Sequence, residues 1–158
     1  WRADHGAGVG WDVNTTENGV IINGDDVTIY GLFVEHFHEY QTLWNGENGR
    51  TYFYQSECPY DPPYQAAWMN GSLNGYASYK VADSVTNHEA WGLGTYCVFF
   101  ADPTVKCDRA IEVPVTSNVS FHHMVIVSLG YVGEITHVIN NTGGPVNDTV
   151  MVYKLDEF

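Results

Sequence analysis

The chain has 158 residues, of which 44% are hydrophobic and 16% are charged. It is long enough for one domain with a sizeable core and too apolar for a disordered segment. Its formal net charge of -13 would repel nucleic acid and anionic membranes, whereas it is compatible with neutral glycans. No apolar run reaches the roughly 18 residues of a membrane span, and no phosphate-cradling glycine loop occurs. We therefore expect neither a nucleic-acid partner, nor a membrane partner, nor a cofactor.

Short runs rich in β-branched and aromatic residues follow one another along the chain, and no segment shows the period of an amphipathic helix. Turn-forming pairs separate the runs, as at Asn23-Gly24, Asn48-Gly49 and Asn74-Gly75. In chain order, the predicted strands cover residues 19–22, 27–30, 32–34, 51–54, 76–81, 96–100, 110–115, 124–129 and 135–139.

Similar strand cores recur at a nearly constant spacing near Val27, Thr51 and Tyr76. A β-helix coil has a period in this range, so the spacing favours an all-β parallel β-helix, a single-stranded solenoid of roughly six or seven coils. A β-sandwich is the alternative. No linker interrupts residues 1–158, so we expect one domain. The abrupt start at residues 1–5 is typical of an internal cut, and we expect a mature or partial chain.

Five Asn-x-Ser/Thr sequons occur where composition would give about one or two. This excess predicts a secreted glycoprotein, extracellular or at the cell surface, with sugar on exposed turns. The predicted acceptors are Asn14, Asn70, Asn118, Asn140 and Asn147.

Three cysteines are present, and two of them flank a short loop that contains a proline. A disulfide between Cys97 and Cys107 would close this loop and leave Cys58 unpaired. Three reduced thiols are the alternative. No Cys-x-x-Cys pair occurs, so we expect no cysteine zinc site.

Two carboxylates, Glu35 and Glu57, each end an apolar strand-like run. Their separation in a β-helix is about one coil, which places them on one face of neighbouring strands about 4.8 Å apart. A direct stack would approach the spacing of a retaining glycosidase pair. A diagonal offset would give the roughly 6.5–9.5 Å of an inverting pair, which leaves room for a water molecule. The alternative is two solvated surface acids.

Aromatic side chains surround this acidic pair in the sequence, and pyranose rings stack on such side chains. Those in loop-like sequence are the best candidates for sugar binding, whereas aromatic residues in strands are at least as compatible with a core. The candidates are Trp44, Tyr60, Tyr64 and Trp68.

A metal site is the competing chemistry. His36 and His38 alternate, so they would share one face of a strand, and His122-His123 lies downstream. Zinc needs a third and a fourth ligand, and no residue can be assigned to these positions. We therefore expect no metal site.

One motif resembles glycoside hydrolase family 55, whose members are β-1,3-glucanases built from two tandem right-handed β-helices. It consists of Glu35-His36, followed about one coil later by Gln55-Ser56-Glu57-Cys58-Pro59-Tyr60. This motif covers residues 35–63. A looser resemblance to pectate-lyase-like β-helix proteins covers most of the chain, through blocks at residues 1–6, 45–51 and 88–94. Cys58 departs from the Ser or Met expected beside the acid.

The resemblance implies a right-handed β-helix that forms the carboxyl-terminal half of a longer protein. Glu57 would be the general acid, and its pKa would have to be raised. Glu35 would position or activate the water, so that hydrolysis inverts the anomeric carbon without a covalent intermediate. Gln55 and His36 would join the substrate-binding residues. The implied partners are β-glucan and an amino-terminal β-helix half, which would complete the cleft.

Two non-catalytic functions remain open from the sequence. One is an extracellular structural β-helix that self-assembles into filaments or a coat, with an idle acidic pair. The other is a carbohydrate-binding module. An amino-terminal β-helix packed against Glu57 would favour the enzyme over both.

Overall fold

The computed structural model of the protein describes residues 2–158, which fold mainly into β-strands. Within these residues there is no α-helix, and neither 3-10 helix is long enough to reach across a bilayer. The strands are β1 (Val20–Ile22), β2 (Thr28–Glu35), β3 (Thr42–Trp44), β4 (Gly49–Glu57), β5 (Met69–Asn70), β6 (Leu73–Asn74), β7 (Tyr79–Val81), β8 (Asn87–Cys97), β9 (Lys106–Glu112), β10 (Asn118–Ser128), β11 (Glu134–Ile139) and β12 (Val152–Glu157). The 3-10 helices are η1 (Gln65–Ala67) and η2 (Leu129–Tyr131).

The chain alternates between two five-stranded sheets. One sheet has the order β1-β3-β7-β9-β11, and the other has the order β12-β10-β8-β4-β2. Neighbouring strands in these sheets are parallel, except that β12 runs antiparallel to β10. Parallel neighbours need a crossover connection, and here each crossover contains a strand of the opposite sheet. The predicted all-β class with parallel strands is confirmed, and an antiparallel sandwich is excluded.

The repeat is less regular than the sequence predicted. Thr28 of β2 pairs with Arg50 of β4, and Arg50 pairs in turn with Glu89 of β8. The second interval is much longer than the first, because η1 and the β5–β6 hairpin are inserted between β4 and β8. The predicted uniform spacing is therefore wrong, and Tyr76 lies outside every strand. Since each large sheet has five strands, six or seven coils are not confirmed.

The core lies between the two large sheets. In β4, Thr51, Tyr54 and Ser56 are buried, whereas Gln55 and Glu57 are only half-buried. This alternation is expected where one face of a strand packs inward and the other faces outward. The largest fully buried side chains include Trp44, Trp68, Tyr54, Tyr79, Phe99 and Phe121.

A column of left-handed residues crosses four neighbouring strands, β2, β4, β8 and β10. It consists of Gly31, Phe53, Gly92 and His123, with φ angles of 70°, 65°, 70° and 57°. Strand pairing skips all four residues, as in a bulge stacked from strand to strand. The bulge shifts the alternation of inward-facing and outward-facing side chains by one residue. Towards the carboxyl end of each strand, the outward-facing side chains therefore lie one position later than a regular strand would place them.

The predicted disulfide is wrong, because Cys58, Cys97 and Cys107 are all free and buried. Cys97 ends β8 in one sheet, whereas Cys107 lies in β9 of the other. Contact with Cys58 and burial raise the pKa of the Cys107 thiol. The cysteines pack as small apolar core residues, which agrees with the alternative of three reduced thiols.

Candidate active site

The two glutamates lie side by side on neighbouring strands. Glu35 ends β2, Glu57 ends β4, and their Cα atoms are register partners. The Gln55 Nε2 group donates to Glu35 Oε1 at 2.7 Å and lies 3.5 Å from Glu57 Oε1. These two oxygens are therefore within roughly 6 Å of each other, between the roughly 5–5.5 Å of a retaining pair and the 6.5–9.5 Å of an inverting pair. The one-coil interval did predict this adjacency, while the catalytic roles stay a prediction.

Tyr60 and His36 complete the polar surroundings of Glu57. The Tyr60 hydroxyl donates a hydrogen bond to Glu57 Oε2. His36 packs edge-to-face on the Tyr60 ring, with centroids 4.5 Å apart, and its Nε2 lies 3.8 Å from Glu35 Oε2. Five residues of the predicted site thus lie together: Glu35, Glu57, Gln55, His36 and Tyr60.

A segment that the sequence did not assign to the site holds these groups in place. Arg2 donates to the His36 carbonyl at 2.6 Å and makes a two-point ion pair with Asp61 at 2.6 and 2.8 Å. The fully buried side chain of Asp4 accepts a hydrogen bond from the Tyr60 amide at 2.6 Å and contacts His36 Nδ1 at 3.1 Å. The block at residues 1–6, of which Trp1 lies outside the described residues, was a signal for this segment. Its long-range contacts could not be derived from one sequence.

In this network, burial and the charges of neighbouring groups both shift the pKa values of Asp4, His36 and Glu57. Burial alone would raise the pKa of Asp4, but contacts with His36 and His5 outweigh it and lower that pKa. Burial alone would lower the pKa of His36, but contact with Asp4 and the charges of Glu57 and Glu35 raise it. Burial and the charge of Glu35 raise the pKa of Glu57. The network favours a charged Asp4–His36 pair beside an acid that keeps its proton to higher pH than an ordinary glutamic acid.

Both predicted sugar-binding tryptophans are core residues. Trp44 is 0% exposed and packs edge-to-face on His88, and Trp68 is 1% exposed, with its indole N–H donating to the His38 carbonyl at 2.7 Å. Their prediction as stacking residues is wrong, because Asn- and Gly-rich flanks suggested loops where the side chains point inward. Tyr64 is 58% exposed beside η1 and is free to contact a ligand.

Two surface depressions adjoin the carboxylate pair. One has a volume of about 460 Å³ and is lined by residues that include Phe33, Gln55 and Tyr96. The other has a volume of about 410 Å³, includes Glu35 and His36, and lies by the edge strands β1 and β2. Both volumes lie in the range of ligand sites, about 300–1,000 Å³.

One cluster within residues 2–158 has the spacing of a metal site. Ligand atoms of Asp4, His5 and His36 lie within 4.8 Å of one another. The Arg2 guanidinium, 3.7 Å from Asp4 Oδ2, already compensates the charge of this carboxylate. His5 Nδ1 contacts the same carboxylate at 2.7 Å. These contacts are those of a charge-compensated hydrogen-bond network, and the absence of a metal site stays a prediction.

The sequons differ in how available their acceptor nitrogen is. The Nδ2 groups of Asn14, Asn70 and Asn140 donate hydrogen bonds within the protein, which a glycan would break. Asn118 is exposed at the start of β10, and Asn147 lies in a bend. Glycosylation stays a prediction, and these last two residues are its best acceptors.

The fold is thus one of stacked parallel sheets that carry a pair of neighbouring carboxylates on their outer face, and its likeness to pectate-lyase-like proteins comes from comparison with known families. Residues 1–57 match the family model described as the LAM55 pectate lyase-like domain. The whole chain is also 50% identical, over 159 aligned positions, to an exo-beta-1,3-glucanase from Streptomyces sp. (strain SirexAA-E / ActE). The predicted resemblance to glycoside hydrolase family 55 is thereby confirmed.

Two solved structures show the same relationship. The chain covers 29% of sacteLam55A from Streptomyces sp. SirexAA-E, with a TM-score of 0.96 and 50% identity. It matches equally well a glutamate-to-alanine variant of that protein in complex with glucose. The chain spans only 26% of the length of the curated relative.

Proposed function

We propose that this chain is part of a glycoside hydrolase that cleaves β-1,3-glucan with inversion, and that Glu57 is the general acid. The observation that carries the proposal is the Glu35–Glu57 pair, in which burial and Glu35 raise the pKa of Glu57. A glutamic acid with a raised pKa beside a second carboxyl group suits the acid role, and inversion is supported by the resemblance to glycoside hydrolase family 55. The name of the Streptomyces relative supports the substrate class.

The proposed reaction needs one proton donor and one proton acceptor. Glu57 gives its proton to the glycosidic oxygen as the bond from this oxygen to C1 breaks. Glu35 accepts a proton from a water molecule, whose oxygen forms the new bond to C1 from the opposite face of the sugar. The product is a reducing sugar of inverted configuration.

The neighbours of the pair support this division of roles. The Gln55 amide donates to Glu35, so one oxygen of Glu35 is fixed while the other can hold water. The Tyr60 hydroxyl donates to Glu57 and fixes the orientation of that carboxyl group. Such an ordered, partly buried network favours an active site over the idle pair of a structural protein.

The proposal includes a right-handed β-helix completed by an amino-terminal half. The edge strands β1 and β2 expose Ile21 and Tyr30, which are 51% and 76% accessible. Unpaired strand edges accept further strands or a covering element. Further chain of the length seen in the Streptomyces relative could cover these edges and complete the cleft around Glu35.

We also propose that the protein acts outside the cell. The excess of sequons and the acidic composition, with a formal net charge of -13, support this location. Peptide mapping of secreted material by mass spectrometry would test it. Glycan masses at Asn118 or Asn147 are expected, whereas an unmodified intracellular protein would contradict this part of the proposal.

The central test compares Glu57→Gln and Glu35→Gln with the full-length protein on soluble β-1,3-glucan. The amide keeps the shape of Glu57 and has no proton to transfer, so we expect a loss of about 10²–10⁴-fold in kcat. Glu89→Gln is the matched control, because Glu89 is a half-exposed glutamate on the same sheet, paired with Arg50. Its activity is expected to be unchanged.

Proton NMR of the first product formed tests the stereochemistry. Inversion predicts that the α-anomer of the reducing sugar appears first from the β-linked substrate. A β-anomer would reject inversion, and a Glu57→Gln variant with normal activity would reject the assignment of the acid. A folded, full-length protein without activity on any β-1,3-glucan would reject the function as a whole.

A further inference from the structure

A third surface depression, which we call the loop pocket, has a volume of about 350 Å³ and is lined by residues 103–106, 131–134 and 147–148. These residues belong to the connections from β8 to β9, from β10 to β11 and from β11 to β12, and to the first residues of β9 and β11. Among the described residues, the loop pocket shares no lining residue with the two depressions beside Glu35 and Glu57. Its volume is within the range of ligand sites, about 300–1,000 Å³.

Tyr131 stands in the loop pocket with a backbone conformation that is unfavourable for a bulky residue. Its φ angle is 64°, and the two other residues of this corner with positive φ, Gly130 and Gly133, are glycines. A large side chain at positive φ is uncommon and strained. Core packing does not account for it, because Tyr131 is 49% exposed and lies outside the hydrophobic cluster of the described residues. Strained residues of this kind concentrate at ligand sites.

Two of the three loops around Tyr131 are fixed by hydrogen bonds to their own side chains. Asp102 Oδ1 accepts from the Thr104 amide at 2.9 Å and from the Thr104 hydroxyl at 2.7 Å. Asn147 Oδ1 accepts in the same way from the Thr149 amide at 2.9 Å and the Thr149 hydroxyl at 2.8 Å. Such turns are locally stabilised. The walls of the loop pocket are therefore preformed, which lowers the ordering cost of binding a ligand.

The polar groups of the loop pocket suit a neutral sugar chain. Lys106 Nζ lies 2.9 Å from Glu134 Oε2, so these two charges compensate each other, and the Lys106 side chain is 50% exposed. Asp148 is an exposed acid, and this surplus of negative charge disfavours an anionic ligand. The turn occupies Oδ1 of Asn147 and leaves its Nδ2 group available as a donor. A pyranose ring can place its apolar face on Tyr131 and its hydroxyls on these polar groups.

We propose that the loop pocket is a second carbohydrate site, separate from the carboxylate pair, that binds a glucan strand of a β-1,3-glucan particle on the Tyr131 ring. It holds the protein on insoluble substrate and takes no part in hydrolysis. The choice of β-1,3-glucan as the ligand rests on the proposed function. Tyr131 should therefore matter for particles and not for short soluble oligosaccharides, which reach the carboxylates without it.

The test compares the initial rate of the full-length protein on dilute particles of insoluble β-1,3-glucan with kcat/KM on the soluble β-1,3-linked trisaccharide. Tyr131→Gly removes the ring and relieves the backbone strain, so the fold should keep or raise its thermal midpoint. We expect the rate on particles to fall about three- to tenfold, the range of a lost aromatic contact, with an unchanged kcat/KM on the trisaccharide. The protein is produced in a host without N-glycosylation, because a glycan on Asn147 would fill the loop pocket.

Two variants serve as matched controls. Tyr131→Phe keeps the ring and loses only the hydroxyl, so it should retain most of the rate on particles. Val115→Ala changes a residue that is 86% exposed and outside the loop pocket, and it should leave both substrates unaffected. Adsorption to the particles in a Glu57→Gln background measures binding without hydrolysis, and here Tyr131→Gly should weaken binding by the same factor as the rate.

The outcomes separate the second site from the proposed function. A wild type that hydrolyses both substrates, with equal losses on both or none in Tyr131→Gly, rejects the loop pocket as a binding site and leaves the function standing. A wild type without activity rejects the function, and the adsorption measurement then decides on the loop pocket alone. Unchanged adsorption in Tyr131→Gly, or a lower thermal midpoint with an unchanged ratio of the two substrates, would show that Tyr131 serves the packing of its loop.

Discussion

Two histidines show how differently the interior and the outer site treat the same side chain. His88 is fully buried between the sheets, among Trp44, Tyr79 and Phe121, and burial lowers its pKa to about 3. His36 is also largely buried, yet contact with Asp4 and the nearby glutamates raises its pKa. Burial opposes the charged form in both places.

The difference teaches that charge partners, not depth, decide the ionisation of these residues. The Nε2 atom of His88 has a neutral partner, the Tyr79 hydroxyl at 2.9 Å, so the ring is stable only without charge. His36 faces carboxylates, so a proton on its ring is compensated. The interior therefore provides a neutral, packed support, and the outer face holds an ionised network fit for proton transfer.

The largest expected effect contrasts one interior aromatic with one outer aromatic. Trp44→Ala should lower the free energy of unfolding by about 3–5 kcal/mol, because it leaves a cavity in a packed core. Tyr64→Ala should change it by less than about 0.5 kcal/mol, since Tyr64 is an exposed residue. Urea unfolding followed by tryptophan fluorescence and far-UV circular dichroism measures both. Equal losses of unfolding free energy in the two variants would contradict the distinction between the packed interior and the outer face.

The next effect is the pH dependence contributed by His88. The unfolded chain binds a proton on this ring below its ordinary pKa of 6.5, whereas the folded ring stays neutral down to about pH 3. Stability from this group therefore falls as the pH falls from 6.5 towards 3. Between pH 7 and pH 4 the loss is on the order of 3 kcal/mol.

The variant His88→Leu tests this dependence through the difference in unfolding free energy between pH 7 and pH 4. This difference should shrink, whatever the baseline stability of the variant. His123→Gln is the control, because the His123 ring is exposed at the surface, and it should keep the difference of the wild type. An unchanged difference in His88→Leu would mean that His88 accepts a proton in the folded state.

A smaller effect concerns the outer histidine. Asp4→Asn removes the main partner that raises the pKa of His36, so this pKa should fall, as followed by NMR of the imidazole ring. The raised pKa gives the wild type stability that is present below pH 6.5 and lost as the pH rises through the folded value. The variant should lack this component. Asp83→Asn, at an exposed carboxylate, is the control, and an unchanged His36 titration in Asp4→Asn would contradict the network.

The sequence predicted those parts of the site that depend on local pattern. Glu35 and Glu57 end strands one coil apart, and their interval in the sequence is also the register interval of β2 and β4, so their adjacency followed from period alone. Arg2 and Asp4 could not be found in this way, because they reach partners 34 to 59 residues away from a segment without strand pattern. Long-range hydrogen bonds of this kind have no signature in a single sequence.

The fold likewise has features that follow from the local sequence pattern and others that depend on the rest of the chain. Strand content followed from short β-rich runs with turn residues between them, whereas the prediction of parallel stacking rested on the repeat interval. The repeat interval failed, because the β5–β6 hairpin lengthens one crossover without changing the sheets. The inward direction of Trp44 was missed, since β3 has only three residues and offers too little alternation to assign a face.

The smallest expected effect concerns the column of left-handed residues that crosses β2, β4, β8 and β10. Gly92→Ala should lower the free energy of unfolding by about 1–2 kcal/mol, because φ is 70° there and an L-residue is disfavoured. The cost is one of conformation alone, since the nearest heavy atom to the added Cβ is 4.0 Å away. Gly24→Ala is the matched control at a glycine without positive φ and with ordinary contact to Val27 at 3.4 Å, where reduced freedom of the unfolded chain should make the change neutral or slightly stabilising. If urea unfolding gives equal values for the two variants, the left-handed conformation at Gly92 imposes no strain on an L-residue.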